Sequence, residues 1–89
     1  MVHDNEGKNV LDRMSIITVA AMAYSAAAYA DYDIRGGRLE DAQAMIAAAH
    51  YYLDHVRGRM MPDLEGIVHS VAVKINEVEA LMPEGREVE

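Results

Sequence analysis

Eighty-nine residues, a formal net charge of −7 and no cysteine bound the answer before any motif is sought. One small domain of this size buries only roughly 60 to 65% of the surface its unfolded chain exposes, and neither a disulfide framework nor a thiolate metal site is available to help. An acidic surface repels phosphate backbones and anionic lipid, which argues against direct binding to nucleic acid or a membrane surface and favours a basic partner protein.

Residues 1–8 are polar, contain Gly7 and show no hydrophobic period, so a mobile arm is expected there, matched by a solvated acidic tail at 84–89. Asn9 is placed as an N-cap: its side-chain oxygen can accept from a free amide of the first turn, and Asp12 suits the positive end of the helix dipole. The pattern predicts a first helix over about 10–35. Its centre, MSIITVAAMAYSAAAYA at residues 14–30, runs seventeen positions without a formal charge. At ~1.5 Å per residue that is about 25 Å of cylinder, apolar or small on nearly every side. It is short for a ~30 Å hydrocarbon core, and its Ala, Ser and Thr give weak transfer energy, so no membrane span is expected. Ala28-Tyr29-Ala30 has the small-x-small form of an export cleavage site. Export signals begin with net positive charge, however, and here Asp4, Glu6 and Asp12 stand against Lys8 and Arg13. A cytoplasmic protein is the expectation.

Gly36-Gly37 stops the first helix, because only Gly takes the left-handed cap conformation without strain. A second helix follows over about 38–60, where Leu39, Ala42, Ile46, Ala49, Leu53, Val56 and Met60 recur at spacings of three and four. Glu40 and Asp41 open it and Arg57 and Arg59 close it, as the dipole prefers, and Pro62 ends it. A second apolar line, Met45, Ala48 and Tyr52, lies beside that seam. So short a connection forces an antiparallel hairpin, in which Ala20, Ala21, Ala27 and Ala28 face Ala42 and Ala49 in a close crossing. Met14, Met22 and Met45 are read as gap fillers between the alanines, with an adaptable peptide groove as the rival reading.

The segment from 63 to 82 supports two readings. As a helix it gives Leu64, Val68, Val71, Ile75, Val78 and Met82 at alternating four and three; as a strand, Val71-Ala72-Val73-Lys74-Ile75 alternates in a β-branched manner. A lone strand has no partner in the chain, so the helix is preferred. The resulting expectation is an all-α, three-helix bundle in a single domain. Its first helix is too apolar for two neighbours to cover, so the chain should form a homodimer or higher oligomer. The interface residues expected are Ala20, Ala21, Tyr24, Ala27, Ala28 and Tyr29 on the first helix, with Met45 and Tyr52 on the second.

Chemistry is sparse. His50 and His55 are five apart, about 140° around a helix, whereas His50 and Asp54 at i and i+4 could supply two metal ligands, short of a site without a third. Tyr24, Tyr29, Tyr32, Tyr51 and Tyr52, with Asp31, Asp33 and Asp54, are read as an interface or a hairpin seal near the open end of the hairpin and not as an acid–base site. No Gly-rich phosphate loop and no nucleophile motif is present. No cofactor is expected.

The order of a small-residue helix, a Gly turn, then Gly37-Arg38-Leu39-Glu40-Asp41-Ala42 with Ile46, Ala49 and Leu53 resembles the helical hairpin of the lactose/cellobiose-type phosphotransferase IIA proteins, over about residues 15–72. Ile67-Val68-His69-Ser70 falls where that family carries its phosphorylated His, and the resemblance implies an oligomeric bundle with His69 as phosphocarrier. The reading preferred from the residues themselves is a non-catalytic, acidic, regulatory interaction module that self-associates and binds another protein. One variant is an inhibitor covering the basic groove of a nucleic-acid-binding protein.

Overall fold

The computed structural model describes residues 11, 14–59 and 62–83, and over these the chain is all α, with no strand among the described residues. Helix α1 spans Ile16–Arg35, α2 spans Leu39–Gly58, a 3-10 turn spans Pro62–Leu64, and α3 spans Glu65–Glu79. The principal pairing is α1 with α2, and α3 packs across both. No helix among the described residues is long and apolar enough to cross a membrane.

The start of α1 corrects the sequence expectation. Ser15, with φ −67° and ψ 147°, is the N-cap. Its Oγ accepts from the Thr18 amide at 3.1 Å and lies 2.9 Å from the Thr18 hydroxyl, satisfying an otherwise orphaned donor of the first turn. Asn9, the expected cap, lies outside the described residues, as do both expected mobile ends. Leu11 and Met14 stand ahead of the helix, and their carbonyls accept from Arg59 Nη1 at 3.2 and 3.1 Å. The C-cap residue of α2 thus ties down the segment that leads into α1.

The other end of α1 follows the expectation closely. Gly37 has φ +80°. The Arg38 amide donates to the Asp33 carbonyl at 2.8 Å and the Gly37 amide to the Ile34 carbonyl at 3.0 Å, the paired closure that a left-handed residue permits at a helix end. Arg38 then folds back over the turn: its Nε lies 3.1 Å from Asp33 Oδ1 and its guanidinium sits 4.8 Å from the Tyr32 ring centroid. A Cβ on Gly36 would meet that guanidinium. With so tight a turn, α2 returns antiparallel.

The core is made of thin residues where α1 meets α2 and of thicker ones where α3 closes over them. Val19, Ala20, Ala23, Ala26, Ala27 and Ala30 of α1 are buried, as are Ala42, Ala49, Leu53 and Val56 of α2. The close crossing is therefore present, but Ala21 and Ala28 are not in it: both are exposed, and Ala23, Ala26 and Ala30 occupy the places expected of them. On a 3.6-residue helix the row 19, 23, 26, 30 runs straight down one side, and 21 and 28 fall on the other. In α2 the expected second line holds, with Met45, Ala48 and Tyr52 half-buried against the core beside Ile46. Leu39 is more exposed than expected, α2 ends at Gly58, and Met60 lies outside the described residues.

The ambiguity at 71–75 resolves to helix. Leu64, Val68, Val71, Ile75, Val78 and Met82 are all buried, the whole predicted row. The helix itself is shorter than 63–82, because Pro62–Leu64 forms the 3-10 turn and the chain leaves regular geometry after Glu79 through turn bonds such as Leu81 N to Val78 O at 2.9 Å. Met14, Met22 and Met45 pack partly buried against the core, as gap fillers do.

Candidate functional site

With its inner side turned to α2 and α3, α1 presents an outer side that none of the described residues covers. Ile17, Tyr24, Tyr29 and Tyr32 there keep 57%, 45%, 61% and 66% of their surface in water, and Ala21, Ser25 and Ala28 lie exposed among them. The face is uncharged from Met14 to Ala30. A groove runs along each flank. One lies between α1 and α3, lined by Ile17, Ala21 and Tyr24 against Gly66, Ile67 and Ser70, with Asp63 at its edge. The other lies between α1 and α2, lined by Thr18, Met22, Ser25 and Tyr29 against Met45 and Tyr52.

Two of the rings are held in place by cations of the same chain. Lys74 Nζ of α3 lies 5.8 Å from the Tyr24 ring centroid, and Arg38 covers Tyr32, both within the ~6 Å over which a ring face attracts a cation. Such contacts, worth ~0.5 to 1 kcal/mol when exposed, orient a ring more than they stabilise the fold. Arg35 completes the lower end of the face by pairing with Asp31 at 2.6 Å.

The expected interface residues divide. Ala21, Tyr24, Ala28 and Tyr29 lie on the outer face, and Met45 and Tyr52 form the far wall of the α2 groove. Ala20 and Ala27, at 3% and 1% exposure, are inside the chain. Ile17, Ser25 and Ile67 belong to the face without having been singled out from sequence, and Tyr32, singled out only within the tyrosine cluster, joins them. The signal that could have found them is phase: once Val19, Ala23, Ala26 and Ala30 are taken as the inner row, positions 17, 21, 24, 25, 28 and 32 must face outward.

The tyrosines do not gather at the open end of the hairpin. Tyr32 sits at the closed end beside the Gly turn, Tyr24 and Tyr29 lie along α1, and Tyr51 meets Tyr52 edge-on with centroids 5.7 Å apart on α2. His50 does not act with Asp54: its Nε2 lies 2.8 Å from Glu79 Oε2, a hydrogen bond pinning α2 to the end of α3. No group of three or more His, Cys, Asp or Glu suited to a metal occurs among the described residues. His55 lies 3.5 Å from Arg59 Nη1, and His69 is exposed on α3. Among the described residues no polar or charged side chain is buried.

The fold and site together define a three-helix bundle in which the described residues leave the uncharged outer face of α1 uncovered. Comparison of the chain with protein-family models, with curated proteins and with solved structures finds no match in any of the three.

Proposed function

We propose that the chain is a non-catalytic helical interaction module that self-associates and acts by protein–protein binding through the outer face of α1. The observation that carries this reading is the run of Ile17, Tyr24, Tyr29 and Tyr32, large side chains left in water along one uncharged face. Taking ~200 Å² for a Tyr side chain, the exposed fractions of the three tyrosines alone amount to roughly 340 Å². Adding Ile17 and the alanines brings the face to about 500 Å², which is the size of patch that marks an interaction site on a small protein. The cytoplasm is the compartment we propose, where a chain free of cysteine loses nothing.

Light scattering or native mass spectrometry at micromolar concentration tests it. The expected mass is at least twice the 9.8 kDa of one chain. Placing carboxylates on the face with Ala21→Glu and Ala28→Glu should return it to 9.8 kDa with the helical circular dichroism unchanged. A wild-type chain that stays monomeric overturns the self-association.

A further inference from the structure

Resting on that reading, we infer that the occupant of the outer face is a second copy of α1, packed antiparallel across a two-fold axis that passes close to Ser25. The argument starts from the side of α1 already in use. There Val19, Ala23, Ala26 and Ala30, at spacings of four, three and four, accept the antiparallel α2 in a close, fully buried crossing. The outer side carries the same spacing in Ala21, Ser25, Ala28 and Tyr32, small residues over the two turns from 21 to 28 and then a large ring at 32. α1 thus has two seams back to back: one is filled by an antiparallel helix and the other is left open by the described residues.

Charge selects the partner. A basic protein would be drawn to carboxylates, and the face has none between residues 14 and 30. Two copies of a chain at −7 repel wherever acid meets acid, and the uncharged outer face of α1 is a surface on which they can approach without that repulsion. At its lower end the charges are already matched within each copy, Asp31 with Arg35 and Asp33 with Arg38. Area agrees: two faces of about 500 Å² give a total near 1,000 Å², the lower bound for a specific interface. An antiparallel arrangement also opposes the two helix dipoles, where a parallel one would align them.

The absence of cysteine makes the geometry directly testable. Small-residue helices approach to ~8 Å between axes, and with Cα atoms ~2.3 Å from each axis, facing residues come within reach of a disulfide. In a pair centred on Ser25, the two copies of residue 25 face each other. The two copies of residue 21 are separated by eight positions, about 12 Å along the axis, beyond the ~7 Å limit for bridging. Residue 21 of one copy is level with residue 29 of the other, and residue 28, on the same outer line and only one position (about 1.5 Å) away along the axis, is the residue it faces. Single variants Ser25→Cys, Ala21→Cys and Ala28→Cys, each checked by circular dichroism for an unchanged helix content, are therefore oxidised mildly with oxidised glutathione. Expected are a disulfide-linked dimer of Ser25→Cys in high yield, little from Ala21→Cys alone, and efficient crosslinking when Ala21→Cys is mixed with Ala28→Cys. Efficient homodimer from Ala21→Cys means parallel helices and overturns the inference. A dimer by light scattering that gives no Ser25→Cys crosslink overturns the α1 pairing but leaves self-association standing. A monomer throughout removes both.

Discussion

The closeness of the α1–α2 crossing can be measured by enlarging one residue in it. Ala23 has 0% exposure and lies in the inner row of α1, against the side of α2 that buries Ala42 and Ala49, also at 0%. Ala23→Leu adds three heavy atoms where there is no room for them, so the helices must separate or the new side chain must leave its preferred rotamer, at a cost of ~1 to 3 kcal/mol. A domain of this length has a stability of roughly 4 to 13 kcal/mol, so the loss is a large share of the whole. Each kcal/mol moves Tm by about 4 to 8 °C at this size, so the melt should fall by ~4 to 24 °C. The control is Ala47→Leu on the exposed side of α2, where Leu and Ala differ little in helix propensity and the change should stay within ~0.5 kcal/mol. Thermal melts followed by circular dichroism, at one protein concentration because association raises Tm, give the comparison. Equal melts for the two variants would mean that the helices stand far enough apart to admit Leu, and the packing argument would fail.

Two further substitutions probe the punctuation of the helices. Gly37, at φ +80°, has free space around its Cβ position, so Gly37→Ala meets strain from the backbone alone and should cost ~1 to 2 kcal/mol. Gly66, in the first turn of α3 with equally free space and no positive φ, should gain by ~0.5 to 1 kcal/mol on Gly66→Ala. Urea titrations giving both changes the same sign would refute the assignment of the turn. Ser15→Ala removes the acceptor of the Thr18 amide and should cost ~0.5 to 2 kcal/mol; a neutral result in the same titration would place the start of α1 elsewhere.

What could be read from sequence follows the information content of the side chains. Through the 3-10 turn, α3 and the turn after it, Leu64, Val68, Val71, Ile75, Val78 and Met82 recur at spacings of four and three, so the phase of a helix there was legible, and every member is buried. The stop at Gly36-Gly37 was legible because a positive φ has a chemical signature in Gly. The start of α1 was not. Ser15 caps the helix, and the segment just before that cap is held by Arg59, 44 positions beyond Ser15, whose guanidinium takes the carbonyls of Leu11 and Met14. A tertiary contact of that length leaves no local trace. The phase of α1 was equally hidden, since an alanine at position 21 has the same chemistry as one at position 20.

The phase nevertheless has a physical cause. Ala occurs on both sides of α1 and cannot decide which side turns inward, so the decision falls to the larger residues. Val19, buried at the start of α1, and Ile16 and Ile34, packed partly buried against the core near its two ends, bring branched hydrocarbon to the inner side with no polar atom to satisfy. Tyr24, Tyr29 and Tyr32 bring hydroxyls, and a buried Tyr hydroxyl requires a hydrogen-bond partner. The interior that α2 and α3 offer contains no buried polar side chain among the described residues, so rotating α1 by half a turn would strand three hydroxyls at a cost of about 1 to 3 kcal/mol each and put Val19 into water. Facing outward, the same rings keep their hydroxyls wet and still offer apolar faces. A second helix can cover such a surface without burying the hydroxyls, which is what an interface demands of a residue and a core does not. The tyrosines therefore account for the orientation of α1 and suit its outer face to the binding role proposed for it.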